Sequence, residues 1–69
     1  MISYNPLWVT LINKNMKKTD LISLLGLSSA TVSKMSKGEY VALNVIEKIC
    51  LALDCNIEDI VEIKKDNKK

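Results

Sequence analysis

The sequence predicts an all-α domain of five short helical segments, and three observations carry that expectation. Apolar residues recur at three- and four-residue spacing along most of the chain. Both glycines, Gly26 and Gly38, stand where such apolar runs stop. Asn and Ser residues suited to capping stand at the heads of several runs. With 69 residues, 48% of them apolar and 26% charged, the chain has room for one domain spanning residues 1–69. That composition is too apolar for a disordered chain.

The first helix is expected to open at Asn5-Pro6, a cap residue followed by proline at the first helical position, and to end near Asn13 to Asn15. Leu7, Trp8, Leu11 and Ile12 form its apolar face. The second runs from about Lys18 to Leu25 with Leu21, Ile22, Leu24 and Leu25 inward, and Gly26 supplies a left-handed stop. Ser28 caps a third helix over about Ser29 to Ser36, which Gly38 terminates. A fourth covers roughly Leu43 to Leu53, with Ile46, Ile49, Cys50 and Leu53 on one face. Asn56-Ile57-Glu58-Asp59 has the form of a capping sequence, so a short fifth helix is expected with Ile57, Ile60 and Val61 packing back. Within residues 1–4 and 61–65, the alternation at Ile2–Tyr4 and Val61–Lys64 is compatible with a short terminal β-ribbon, and residues 66–69 are expected as a frayed tail.

Several function classes are excluded early. The longest unbroken apolar run, Ile49 to Leu53, is far short of the roughly 20 residues that span a bilayer. Met1-Ile2-Ser3-Tyr4 lacks the basic and apolar regions of a secretory signal, so a soluble, cytoplasmic protein is expected. Histidine is absent, and two thiols, Cys50 and Cys55, cannot complete a tetrahedral zinc site. Both are expected as reduced, metal-free core thiols. There is no nucleophile–histidine set and no glycine-rich phosphate loop, and Glu58 and Asp59 read as first-turn helix residues. No enzyme, cofactor, metal site or small-molecule ligand is expected.

Charge is unevenly placed. Residues 1–38 carry Lys14, Lys17, Lys18, Lys34 and Lys37 against Asp20 alone, whereas residues 39–63 carry Lys48 against Glu39, Glu47, Asp54, Glu58, Asp59 and Glu62. The formal net charge of +2 therefore conceals a basic front half, which suits an anionic partner. Within that half, two short helices meet at Gly26-Leu27-Ser28, a turn too tight for an antiparallel helical hairpin. In the third helix, Val32 and Met35 define the buried side. Ala30, Ser33, Lys34 and Lys37 lie opposite, with Ser29 beside them at the amino end. That outward face is small and basic. The plainer account is a solvated lysine face, and the surrounding helix–turn–helix pattern argues against it.

The stretch KKTDLISLLGLSSATVSKMSKGE, residues 17–39, resembles the helix–turn–helix of the Cro/C1-type (XRE-like) DNA-binding family. Leu21, Gly26, Leu27, Ser28, Thr31, Val32, Ser33 and Gly38 match the family pattern. The likeness continues through Leu43, Ile46, Ile49, Cys50, Ala52, Leu53, Asp54 and Cys55, and ends near Ile60. It implies a lambda-repressor-like fold and a transcriptional regulator that binds double-stranded DNA with the third helix in the major groove, and the lysine-only basic usage points to a bacterial or mobile-element coding sequence. The DNA-binding residues would be Lys17, Lys18, Ser28, Ser29, Ala30, Ser33, Lys34, Lys37 and Tyr40. Tyr40 follows the Gly38 stop, where its hydroxyl reaches a phosphate or its ring packs at the core edge. Many members carry glutamine or arginine where this chain has Lys18 and Ser29, and the sequence contains neither residue type anywhere. A protein-interaction module on the same fold, antitoxin-like or partner-binding, is the alternative that this absence favours. The small size and the strand-like ends point to a homodimer.

Overall fold

The computed structural model describes residues 1–65, so the expected frayed tail at 66–69 lies outside the described residues. The described chain runs in the order β1 (Ile2–Ser3), α1 (Asn5–Asn13), α2 (Lys18–Leu25), α3 (Ser29–Ser36) and α4 (Leu43–Leu53), then a 3₁₀ turn (Ile57–Asp59) and β2 (Glu62–Ile63). The all-α expectation holds with four helices and a terminal ribbon among the described residues. In the ribbon, β1 and β2 are antiparallel with Ile2 opposite Ile63 and Ser3 opposite Glu62.

Each helix ends on a residue in the left-handed region. Gly26 (φ 67) closes α2, with its N–H donating to the Ile22 carbonyl at 2.9 Å. Gly38 (φ 74) follows α3, and the Glu39 N–H donates to the Lys34 carbonyl at 2.9 Å. The corresponding residues after α1 and α4 are Asn15 (φ 58) and Asp54 (φ 53). There, Met16 N–H donates to the Leu11 carbonyl at 2.8 Å and Cys55 N–H to the Cys50 carbonyl at 3.0 Å. These bonds satisfy carbonyls that a helix end would otherwise leave unpaired.

The amino ends agree less uniformly with expectation. Ser28 Oγ accepts the Thr31 N–H at 3.1 Å, as a serine cap should, and Asp20 Oδ2 accepts the Lys17 N–H at 2.8 Å at the head of α2. At α1, however, Asn5 is the first helical residue rather than the cap, and Tyr4 takes the cap position. The Asn5 N–H is satisfied from outside, by Ser3 Oγ at 3.2 Å. The fifth helix is a correction too. The Asn56 N–H does reach Asp59 Oδ2 at 3.1 Å, but only the three-residue 3₁₀ turn follows. Ile60 is fully buried just beyond it and Glu62–Ile63 must extend to pair with β1, so no length remains for a helix.

One core joins all four helices. It comprises Tyr4, Leu7, Leu11, Leu21, Leu27, Val32, Met35, Ile46, Ile49, Leu53 and Ile60. Trp8, Ile22, Leu25, Cys50 and Val61 pack against it half-buried, as do Met16 and Cys55. Ile12, Leu24 and Ile57, expected inward, are instead exposed. Each lies beside the contact stripe of a short element that meets neighbours on one side only. Leu7 and Leu11 face the core along α1, and Ile12, one residue further, is turned about 100° from that line.

Tyr4 is the core residue that periodicity does not reveal. Its ring is buried and its hydroxyl donates to the Glu39 carbonyl at 2.9 Å, joining the start of α1 to the loop after α3. Burial pushes its phenol above the ordinary range, with the Val41 backbone pulling the other way. Gly38 fits closely in the same region, because a Cβ there would lie 3.3 Å from the Ile2 carbonyl oxygen. Tyr4→Phe should therefore cost about 1 kcal/mol through the stranded Glu39 carbonyl. Tyr4→Ala should cost about 3–5 kcal/mol, as truncations of buried aromatics do. Ile12→Ala should stay within about 0.5 kcal/mol. Urea titration of the three variants checks the order.

Candidate nucleic-acid interface

The site begins with the turn between α2 and α3. Gly26 reverses the backbone, Leu27 is buried as an anchor, and Ser28 starts the next helix three residues after α2 ends. Anchored in this way, α2 packs on both α3 and α4. Val32 and Met35 then bury one side of α3, which turns Ser29, Ala30, Ser33, Lys34 and Lys37 outward, all of them exposed. The expected face exists as drawn: three small residues toward the amino end, two lysines toward the carboxyl end. Lys34 lies in the last turn of α3, where a cation complements the helix dipole.

The flanking candidates differ in how tightly they are held. Lys17 is exposed just before α2. Lys18, the first residue of α2, donates from Nζ to Ser36 Oγ at 3.0 Å and stands 4.3 Å from the centre of the Trp8 ring. It therefore links the head of α2 to the tail of α3 and to α1. Ser28 is occupied by structure: besides the cap bond, its hydroxyl pairs with the Thr31 hydroxyl at 3.0 Å. Tyr40 is 77% exposed, which decides between its two accounts in favour of a free ring and hydroxyl.

Sequence reasoning missed the Lys18–Trp8–Ser36 contact. The three residues lie on different helices, 10 and 18 positions apart, so no local spacing signals it. Thr31 matched the family pattern, but its part as the hydrogen-bond partner of the Ser28 cap, from the third helical position, shows only in the structure. Among the described residues, no group of three or more His, Cys, Asp or Glu side chains could hold a metal ion. No buried side-chain nitrogen or oxygen among them lacks a hydrogen-bond partner.

Comparison with known proteins finds relatives along most of the chain. Residues 6–66 match the model of the Cro/C1-type HTH DNA-binding domain. The chain is 35% identical over 60 residues to YozG of Bacillus subtilis (strain 168), an uncharacterized HTH-type transcriptional regulator, across 84% of this chain and 71% of the relative. Its fold is similar to the crystal structure of the transcriptional regulator VanUg (Form II), with a TM-score of 0.86 and 44% identity over 88% of this chain and 81% of that one.

Trp8 is the only tryptophan, so its fluorescence reports on the contact with Lys18. Lys18→Ala should shift the emission by exposing one face of the indole. Stability should fall by no more than about 1 kcal/mol, the scale of an exposed cation–aromatic pair. An emission spectrum identical to the unaltered protein would refute the contact.

Proposed function

The chain belongs to the Cro/C1-type HTH DNA-binding family, and we propose that it regulates transcription by occupying a double-stranded operator with α3 in the major groove. The observation that carries this is the outward face of α3. Ser29, Ala30 and Ser33 are small enough to let the helix approach base edges, and Lys34 and Lys37 at its far end suit phosphates. Lys17 and Lys18 at the head of α2, with the exposed Tyr40 hydroxyl, would hold the backbone on either side.

The chemistry of recognition follows from what this face lacks. The outward face carries no Arg, Gln or Asn, the side chains that most often read guanine or adenine with two prongs. Specificity would rest on serine hydroxyls reaching base edges directly or through water, on the Ala30 methyl against thymine, and on DNA shape. Affinity would be mostly electrostatic and strongly salt-dependent. Two copies would span two half-sites about 34 Å apart, matching a two-fold operator. Such a regulator would work in the cytoplasm of a bacterial cell. The same deficit supports the second account, a protein-interaction module with weak DNA affinity, and one comparison separates the two.

Lys37→Ala should weaken binding to specific and random duplexes alike and reduce the slope of log affinity against log salt by about 0.9. Ala30→Gln should change the preferred sequence or block docking while the domain stays folded, because position 30 faces outward. Val32→Ala should instead cost about 1–3 kcal/mol of stability, with binding falling only as the fold does. If Ala30→Gln and Lys34→Ala both left affinity and preference unchanged in folded protein, α3 would not be the reading helix and the interaction-module account would stand.

The dimer has its own test. Sedimentation equilibrium at micromolar concentration should give twice the 7.7 kDa chain mass, and a folded monomer at high concentration would refute it.

A further inference from the structure

Cys50 and Cys55 are the only cysteines of the chain, and both are free and half-buried. They occupy the two positions that the turn after α4 brings together. Asp54 is left-handed and the Cys55 N–H reaches back to the Cys50 carbonyl at 3.0 Å. This is a Schellman turn, in which the residue after the left-handed one packs on the residue whose carbonyl it caps. After α1 the equivalent pair is apolar, with Met16 and Leu11 lining one shallow groove. After α4 the pair is thiol on thiol, brought together by the same backbone bond beyond a left-handed residue.

We propose that this pair is a modification site: a dithiol that a small oxidised disulfide converts into an intramolecular Cys50–Cys55 disulfide. In the first step the Cys50 sulfur, having lost its proton to solvent, attacks one sulfur of the small disulfide. The S–S bond breaks and one small thiolate leaves. In the second step Cys55 loses its proton and attacks the Cys50 sulfur, displacing the other small thiolate. The protein gives up two protons and two electrons, and one small disulfide is reduced to two thiols. Burial and then the adjacent Cys50 push the Cys55 thiol up, which lowers its thiolate fraction near neutral pH and makes the second step faster as pH rises.

The turn exists only in the folded chain, so closure should be more favourable there than in the unfolded chain. Linkage then requires the disulfide to stabilise the fold by the same factor. This is separate from DNA reading, since neither thiol lies on α2 or α3.

The test equilibrates the full chain with defined ratios of oxidised and reduced glutathione, in buffer and in concentrated urea, followed by acid quench and mass spectrometry. In buffer the chain should lose about 2 Da without gaining glutathione or a second chain. The effective concentration of the pair should exceed that in urea by about tenfold or more, and the oxidised chain should need more urea to unfold. Asp54→Gly, which keeps the left-handed turn, should close as readily. Asp54→Val, disfavoured there, should accumulate the mixed disulfide. Persistent glutathione adducts, chain-to-chain linkage, or an effective concentration in buffer no higher than in urea would overturn the proposal. So would ready closure by a folded Asp54→Val chain. If Asp54→Val does not fold, Asp54→Gly and the comparison with urea decide.

Discussion

Among the described residues no helix exceeds 11 residues, and that constraint governs the rest of the structure. Isolated helices of such length are marginal in water even with favourable sequences. Each one here persists because it is stopped cleanly and because one stripe of it enters a common core. The stops do more than end helices. At Gly26 the left-handed residue redirects the chain sharply enough that α3 packs on α2, and the buried Leu27 beside it anchors the turn. Tyr4 completes the arrangement from the other end of the sequence, since its hydroxyl holds the loop that follows α3. The position of the outward face of α3 is therefore set from both of its ends.

This explains which parts of the fold were legible in the sequence. Helix boundaries marked by glycine or by a serine cap fell where the pattern put them, because those residues act through their own backbone and need no distant partner. The left-handed roles of Asn15 and Asp54 were harder to see. Asn and Asp adopt that conformation only when the following backbone bond rewards it. Tyr4 escaped because its burial depends on a carbonyl 35 residues away, and no periodicity encodes that distance. The fifth helix failed for the opposite reason. Its local capping signal is real, as the Asn56–Asp59 bond shows, but strand pairing and the burial of Ile60 override it.

The candidate site was legible to a different degree. The face of α3 could be drawn in full, because helical geometry alone separates Val32 and Met35 from Ala30, Ser33, Lys34 and Lys37. The setting of Lys18 could not. Its partners Trp8 and Ser36 come from helices that only the tertiary fold brings together. The consequence is functional as well as descriptive. A lysine held against an indole and a hydroxyl presents its charge at a defined place, so less side-chain freedom remains to be lost when an anion binds.

The two sides of α3 answer to different demands, and the sequence of the helix reflects both. Val32 and Met35 are fixed by the core, where a change of one methylene is felt through close packing. The opposite side has no such tie, since Ser29, Ala30, Ser33, Lys34 and Lys37 are exposed and none makes a side-chain hydrogen bond that the fold requires. Helix stability there is maintained by the Ser28 cap and the Gly38 stop, at the two ends of that face. Substitutions across the outward face can therefore alter what the helix contacts without altering how it is held. That separation lets one compact scaffold present different recognition surfaces. If α3 reads DNA as proposed, specificity would rest on a handful of small side chains, with lysines supplying attraction and the small residues supplying fit.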